Sequence, residues 1–288
     1  MRRYRVLLGA FVVTLLGLLT GCSDGSDSGP GSGQPGLLPV STPTVELPPG
    51  DGEPTLISTT FDLASVGFIQ EEFFLAGTAS SFRNLNELGV DGRWEAEPAD
   101  TANYRTRVVV YRPVKQEDFS GTVIIEWMNV TQGFDLPWGW ALSHVEALRA
   151  GDAWVEVTAQ RVGIEGQEGA LFPFYLRAAD PERYDSLEHP GDSFSYDMFT
   201  QVTALVKGAE ENSIVGGYPV DVVIAVGDSQ AAARLLTYVN AIQPLYGAFD
   251  AFLLDSRYDS SAVSYTHLTL PTNTVTCSAG GRTEAESR

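Results

Sequence analysis

Histidine occurs three times and cysteine twice in 288 residues, and basic residues number 18 against 37 acidic ones. Each scarcity excludes something. Two cysteines, Cys22 near the start and Cys277 near the end, cannot staple a fold, so no disulfide framework is expected. His144, His189 and His267 are too few and too scattered to form, with Cys, Asp or Glu, a cluster of metal-ligand spacing; no cofactor or metal is expected. The formal net charge is −19, and the first 21 residues hold three arginines and no acid, so the remainder is three charges more acidic still. Such a surface repels phosphate backbones, which argues against nucleic acid as a partner. No phosphate-binding loop is present. Hydrophobic residues are not scarce: at 43% of the chain they suffice for a sizeable core.

The long apolar run lies at the N-terminus, MRRYRVLLGAFVVTLLGLLTGC. Three arginines precede it, it is short for a membrane span, and small residues lead into Cys22. Leu19-Thr20-Gly21-Cys22 resembles the lipobox of bacterial lipoproteins. That resemblance implies a signal peptide over 1–21, lipidation of Cys22 and attachment of the protein to the cell envelope. With Ser23 after the cysteine, a Gram-negative cell would place it in the outer membrane. Residues 22–54 are dense in Gly, Ser and Pro without a periodic apolar face, and read as a disordered tether.

At the other end, VSYTHLTLPT (263–272) resembles one reading frame of a widely used transposase sequencing adapter, without a mismatch. Residues 263–288 are therefore expected to be an artefactual tail that cuts the domain short near Ala262. On that reading His267 and Cys277 are not features of the protein.

Between these ends, residues 55–262 alternate strand-like and helix-like patterns. Strands are expected at Tyr104–Arg112, Thr122–Trp127, Ala153–Ala159 and Val220–Val226, with another from Phe249 to Leu254. A helix over Trp138–Ala150 would bury Trp138, Leu142, Val145 and Leu148, and Gly151 would stop it. Phe199, Val202 and Leu205 mark a second helix, and Ala232, Leu236 and Val239 a third. Residues 160–192 are rich in Gly, Pro and aromatics and read as an insertion or lid. Strands separated by helical crossovers imply a mainly parallel sheet covered on both faces.

The chemistry-bearing stretch is VVIAVGDSQAAARLL (222–236), an apolar strand running through Ser229 into an alanine-rich helix. Gly227-Asp228-Ser229-Gln230-Ala231 is a G-x-S-x-A variant of the nucleophile elbow, in which a tight strand-to-helix turn demands small neighbours and lifts a serine hydroxyl above the sheet. The backbone N–H of Gln230 would stabilise a developing oxyanion. The second donor should come from the loop after the strand Thr122–Trp127, with the N–H of Asn129 as the choice, to within one residue. Helices are also commonly capped by serine, which is the competing explanation of Ser229.

The stretches DLASVGFIQEEFFLAGTA, YRTRVVVYRP, GTVIIEWMNVT, AADPERYDSLEHPGDSFSYDMF and VGDSQAAARLLTYVNAIQP together resemble an α/β-hydrolase-domain family of bacterial proteins, over residues 61–258. The resemblance implies an α/β-hydrolase fold with its C-terminal strands missing here. It also implies Ser229 as nucleophile, small-molecule esters as substrates, and a histidine and acid on later segments. The serine block of GDSL-type esterases is a weaker match, because there it follows the first strand. His144 reads as a helix residue and His189 as a loop residue; of the two acids that follow the strand after the elbow helix, Asp259 is a candidate for the triad acid and Asp255 reads as a strand-end residue. Glu71-Glu72 and Asp180/Glu182 read as solvated charges. Two functions follow: a lipid-anchored serine hydrolase, inactive as given for want of its base and acid, or a non-catalytic surface lipoprotein on the same fold.

Overall fold

The computed structural model describes residues 36–56, 59, 61–168, 172–208 and 213–257. The signal peptide, Cys22, Asp259 and the tail with His267 and Cys277 lie outside the described residues. The compact unit begins at Leu37. Leu38 donates its N–H to the Leu245 carbonyl at 2.8 Å, and β1 (Thr44–Glu46) pairs with β2 (Phe68–Asn84). The last part of the stretch read as a tether therefore belongs to the domain. Its lack of apolar periodicity reflects an edge strand that needs only backbone pairing.

Among the described residues seven strands form one sheet in the order β1-β2-β3-β5-β4-β6-β7. β2 and β3 (Ala96–Pro113) make a long antiparallel ladder from Phe68↔Pro113 to Asn84↔Ala96, with a bulge between Ser80 and Phe82. β3 then pairs antiparallel with β5 (Ala153–Val157). From β5 onward every pairing is parallel: β5 with β4 (Thr122–Trp127), β4 with β6 (Val222–Asp228), and β6 with β7 (Ala251–Asp255). The sheet is thus mixed, and the half that carries the elbow is parallel throughout.

Helices cover both faces. Alternation along β4 sends Val123, Ile125 and Trp127 to one face, where they pack with Phe199, Val202 and Leu205 of α5 (Ser195–Val206) and Leu235 of α6 (Gln230–Thr237). A π-helical turn, Tyr238–Ile242, and α7 (Gln243–Tyr246) continue α6. On the other face Val109, Tyr111, Trp154 and Val226 meet Trp140 and Ala147 of α1 (Trp138–Ala150). Trp127 is fully buried between the Tyr196 and Phe199 rings, and truncation there would cost about 3–5 kcal/mol.

The face α1 buries is not the expected one. Trp138, Leu142 and Val145 are 44%, 68% and 54% exposed, while Gly139, Trp140 and Ala147 face the sheet. Two contacts set this rotation. The buried Glu126 carboxylate accepts the N–H groups of Gly139 at 2.7 Å and Trp140 at 2.9 Å, fastening the first turn of the helix to β4. The Trp140 ring stacks on Tyr111 with centroids 4.0 Å apart. A Cβ at residue 139 would lie 3.0 Å from Glu126 Cδ and 3.1 Å from Trp154, so glycine permits the approach.

The described residues of 160–192 hold three short helices: α2 (Arg161–Glu165), α3 (Leu176–Ala179) and α4 (Pro181–Tyr184). Ile164, Leu176, Tyr184 and Leu187 form a small core with Phe74 of β2. Glu72 is not a solvated charge: it is 6% exposed, bonded by Arg183 Nε at 2.7 Å and the Tyr184 hydroxyl at 2.8 Å. Glu71 binds Arg112 Nε at 2.7 Å, and Asp180 accepts the N–H of Arg183 at 3.1 Å, capping α4. The Glu72 bonds to Arg183 and Tyr184 anchor the segment to the sheet.

Candidate active site

Ser229 stands between β6 and α6 with φ 54° and ψ −110°. It is one of two non-glycine residues with positive φ among the described residues, Ser256 being the other. A side chain held in this region costs about 1–3 kcal/mol. The neighbours show what enforces it. A Cβ on Gly227 would meet the Ala231 carbonyl carbon at 2.9 Å and Leu235 Cδ1 at 3.0 Å, so the strand enters the helix at a distance only glycine allows. Ala231 is fully buried against the same turn. The Ser229 N–H donates to the Asp255 carbonyl at 2.9 Å, tying the elbow to β7. The Ser229 side chain makes no capping hydrogen bond to α6, so capping does not explain it.

Gln230 opens α6, and its N–H is among the first-turn amides that lack an intrahelical acceptor. At the expected second donor, Asn129 to within one residue, the neighbouring amides have different partners. The Asn129 N–H donates to the Leu136 carbonyl at 3.1 Å, and Leu136 returns its own N–H to the Asn129 carbonyl at 2.8 Å. This two-way bridge pinches the loop 129–136 and consumes the Asn129 amide. The adjacent peptide is left with its carbonyl held by Leu136 and its N–H, that of Val130, turned toward the elbow, 3.4 Å from Gln230 Oε1. Val130 is therefore the amide that faces the elbow, and the shift is one residue. The Asn129 side chain braces the assembly: Nδ2 donates to the Asp228 carbonyl at 3.1 Å, and Oδ1 accepts the Thr131 N–H at 2.8 Å.

Gln160, at the end of the segment after β5, is 2% exposed and completes the wall. Its Oε1 accepts from Trp127 Nε1 at 3.1 Å and from Gln230 Nε2 at 2.8 Å. Its Nε2 donates to Asp192 Oδ2 at 2.9 Å, an oxygen shared with Arg234 Nη2 at 3.0 Å. Sequence patterns gave no sign of Gln160, which sits in no motif, and gave Asp192 no role although it lies within the family-like stretch 178–199. The Thr131 N–H to Asn129 Oδ1 bond makes Asn129-Val130-Thr131 an Asx turn, a role for the Asn129 side chain that the sequence reading did not assign.

Neither described histidine attends Ser229. His189 is buried, its Nε2 against the Ala159 carbonyl at 3.0 Å and its Nδ1 accepting the Gly191 N–H at 3.1 Å. Burial pushes its pKa below the ordinary histidine value, which keeps it neutral as a loop anchor. His144 Nδ1 lies 3.0 Å from the Trp140 carbonyl within α1, and its ring stacks near Phe61. Asp255 ends β7 opposite Asp228, and its carboxylate accepts from the Ser256 hydroxyl at 3.3 Å.

A row of buried carboxyls lies behind the elbow. Glu126 and Glu156 are register partners on β4 and β5, both fully buried. Burial lifts Glu126 to about 7, with the Gly139 and Trp140 amides and the Trp154 indole pulling it down. Burial, then the Glu126 charge, raises Glu156 well above the carboxylate range. Among the described residues no group of three His, Cys, Asp or Glu side chains could hold a metal ion, and no helix is long and apolar enough to cross a membrane.

The sequence profile of the alpha/beta hydrolase domain family matches residues 40–284. A search of the curated proteins gives no match. Among solved structures, the chain is similar to acetyl xylan esterase 1 from Thermoanaerobacterium sp., at 13% identity and a TM-score of 0.38, over 77% of this chain and 55% of that one. It is also similar to a fungal esterase from Rhizomucor miehei, at 15% identity and a TM-score of 0.34, over 70% and 52%. The chain thus spans about half the length of these structures. The profile match covers most of the sequence and takes in the elbow, its sheet and its helices: the chain belongs to the alpha/beta hydrolase domain family.

Proposed function

We propose that this chain is a carboxylic-ester hydrolase that attacks its substrate through Ser229. The observation that carries the reading is the strained Ser229 at the carboxyl end of β6, with the Gln230 amide at the helix start and the Val130 amide against the Gln230 side chain. A serine fixed there attacks an acyl carbon, and the two amides receive the charge that develops on the carbonyl oxygen. His144 and His189 are both committed elsewhere, so the base comes from outside the described residues. The adapter-like reading of residues 263–272 assigns base and acid to the intact reading frame beyond Ala262 rather than to His267. The lipobox resemblance adds attachment to the envelope through Cys22.

The test compares the 288-residue chain with the same chain carrying its native C-terminus, using a short activated ester. The extended protein is expected to hydrolyse it and its Ser229→Ala variant to fail while remaining folded. The 288-residue chain should be nearly inactive, since losing the histidine of a comparable triad costs about 10⁶ in kcat. Full activity in Ser229→Ala, or 288-residue activity that disappears with His267→Ala, would overturn the assignment.

A further inference from the structure

Gln230 contributes more to this site than its backbone, and the reason is the direction in which its side-chain amide is forced to point. The Trp127 indole N–H can only donate, and the Asp192 carboxylate can only accept. Gln160 lies between them, so its Oε1 must face Trp127 and its Nε2 must face Asp192. Arg234 Nη2 at 3.0 Å and the Arg161 N–H at 3.1 Å hold the Asp192 carboxylate in place. Gln160 Oε1 then accepts a second bond, and Gln230 must supply Nε2 to it, at 2.8 Å. That leaves Gln230 Oε1 on the far side, against the Val130 N–H. The 129–130 peptide cannot turn away, because its carbonyl is held by the Leu136 N–H.

We infer that the Gln230 side chain is the resting occupant of the Val130 amide, a built-in carbonyl that stands in for the substrate oxygen, with Gln160 as the positioning residue that sets its polarity. The inference rests on the reading of Ser229 as nucleophile. At 3.4 Å the Val130–Gln230 bond is at the weak limit for an amide donor. An oxygen acquiring negative charge makes a shorter, stronger bond to the same N–H. Gln230 therefore holds the donor in direction without competing with the oxyanion, and swings aside when the substrate carbonyl arrives.

The test follows the Val130 amide by ¹⁵N–¹H NMR in the 288-residue chain. Gln230→Met keeps the bulk and removes the acceptor; it should shift the Val130 resonance and speed its hydrogen exchange. Asp192→Asn, at the rim of the relay, releases the Gln160 polarity and should move the same resonance, and less so when Gln230 is already Met. Gln160 is too buried to carry the test alone. In the extended protein, Gln230→Glu places a fixed negative charge at the amide, and kcat should fall toward the loss of about 10²–10³ that follows removal of one oxyanion donor, with KM little changed. A Val130 amide unmoved by Gln230→Met, an Asp192→Asn shift independent of residue 230, or an unaltered kcat in Gln230→Glu would each overturn the inference. Failure of the hydrolase reading shows separately, as activity that survives Ser229→Ala.

Discussion

Ser229→Gly should make the protein more stable. The serine holds φ 54° and ψ −110°, a region that glycine enters freely and other residues enter at a cost of about 1–3 kcal/mol. Glycine loses about 0.5–1 kcal/mol through the greater freedom of its unfolded chain, so the net gain is about 1 kcal/mol. The proper reference is Ser229→Ala, which removes the same hydroxyl but keeps a Cβ and therefore the strain. For a domain of about this size, 1 kcal/mol corresponds to about 2–4 °C in Tm. Thermal unfolding followed by circular dichroism, with urea titration to check that the slope is unchanged, measures the difference. A glycine variant no more stable than the alanine variant would refute the claim that the turn stores strain, and with it the physical argument for the elbow.

Gly227→Val should destabilise by more than about 1–3 kcal/mol, the usual cost of overpacking, since even a Cβ there stands 2.9 Å from the Ala231 backbone; urea midpoints equal to wild type would disprove the contact. The Glu126–Glu156 pair makes stability depend on pH with a definite sign. The folded state holds these protons longer than the unfolded chain, so their contribution is full below the ordinary carboxylate range and is lost as pH rises through each folded value; for Glu126 that value is about 7, and the shift from 4.5 amounts to about 3 kcal/mol. Glu156→Gln, a mimic of the protonated acid, should change stability little at pH 5 and stabilise the protein progressively as pH rises above the ordinary carboxylate range, and an effect independent of pH would contradict the assignment. Full-length protein in a Gram-negative host should incorporate labelled fatty acid at Cys22, with stable anchoring by several acyl chains; labelling that survives Cys22→Ser would end the lipoprotein reading. Removing residues 263–288 should change stability by less than about 0.5 kcal/mol, and a larger loss would show that the tail belongs to the fold.

The parallel strands and the elbow were legible because fully buried strands are written as apolar runs, as in Thr122–Trp127 and Val222–Val226, and because Gly-x-Ser-x-Ala carries its own steric logic. β2 was not. Its 17 residues include Glu71, Glu72 and Gly77, and no periodicity announces a strand whose charges are paired by Arg112 of the neighbouring strand and by Arg183 of α4. The orientation of α1 was misread because periodicity finds an apolar stripe but cannot say whether Glu126 will seize the first-turn amides and roll another face inward. The choice between Asn129 and Val130 depends on which amide the Leu136 bridge consumes, a contact between residues seven apart that no residue type specifies. The relay through Gln160 is least legible of all: its meaning lies in donor and acceptor directions.

The long β2–β3 ladder bears on how the molecule comes to exist. Its two strands are joined by a short stretch, residues 85–95, and can zip together from that connection as soon as both have been made. The parallel half has no such shortcut: Thr122 waits for Val222, a hundred residues later, before β4 has both of its neighbours. Pulse-labelled hydrogen exchange during refolding should protect β2 and β3 amides before those of β6. Until β6 arrives, one edge of β4, rich in valine and isoleucine, stands open to other chains. The strand that leads into Ser229 is also the strand that closes this edge, so the interval of greatest aggregation risk ends with the assembly of the elbow.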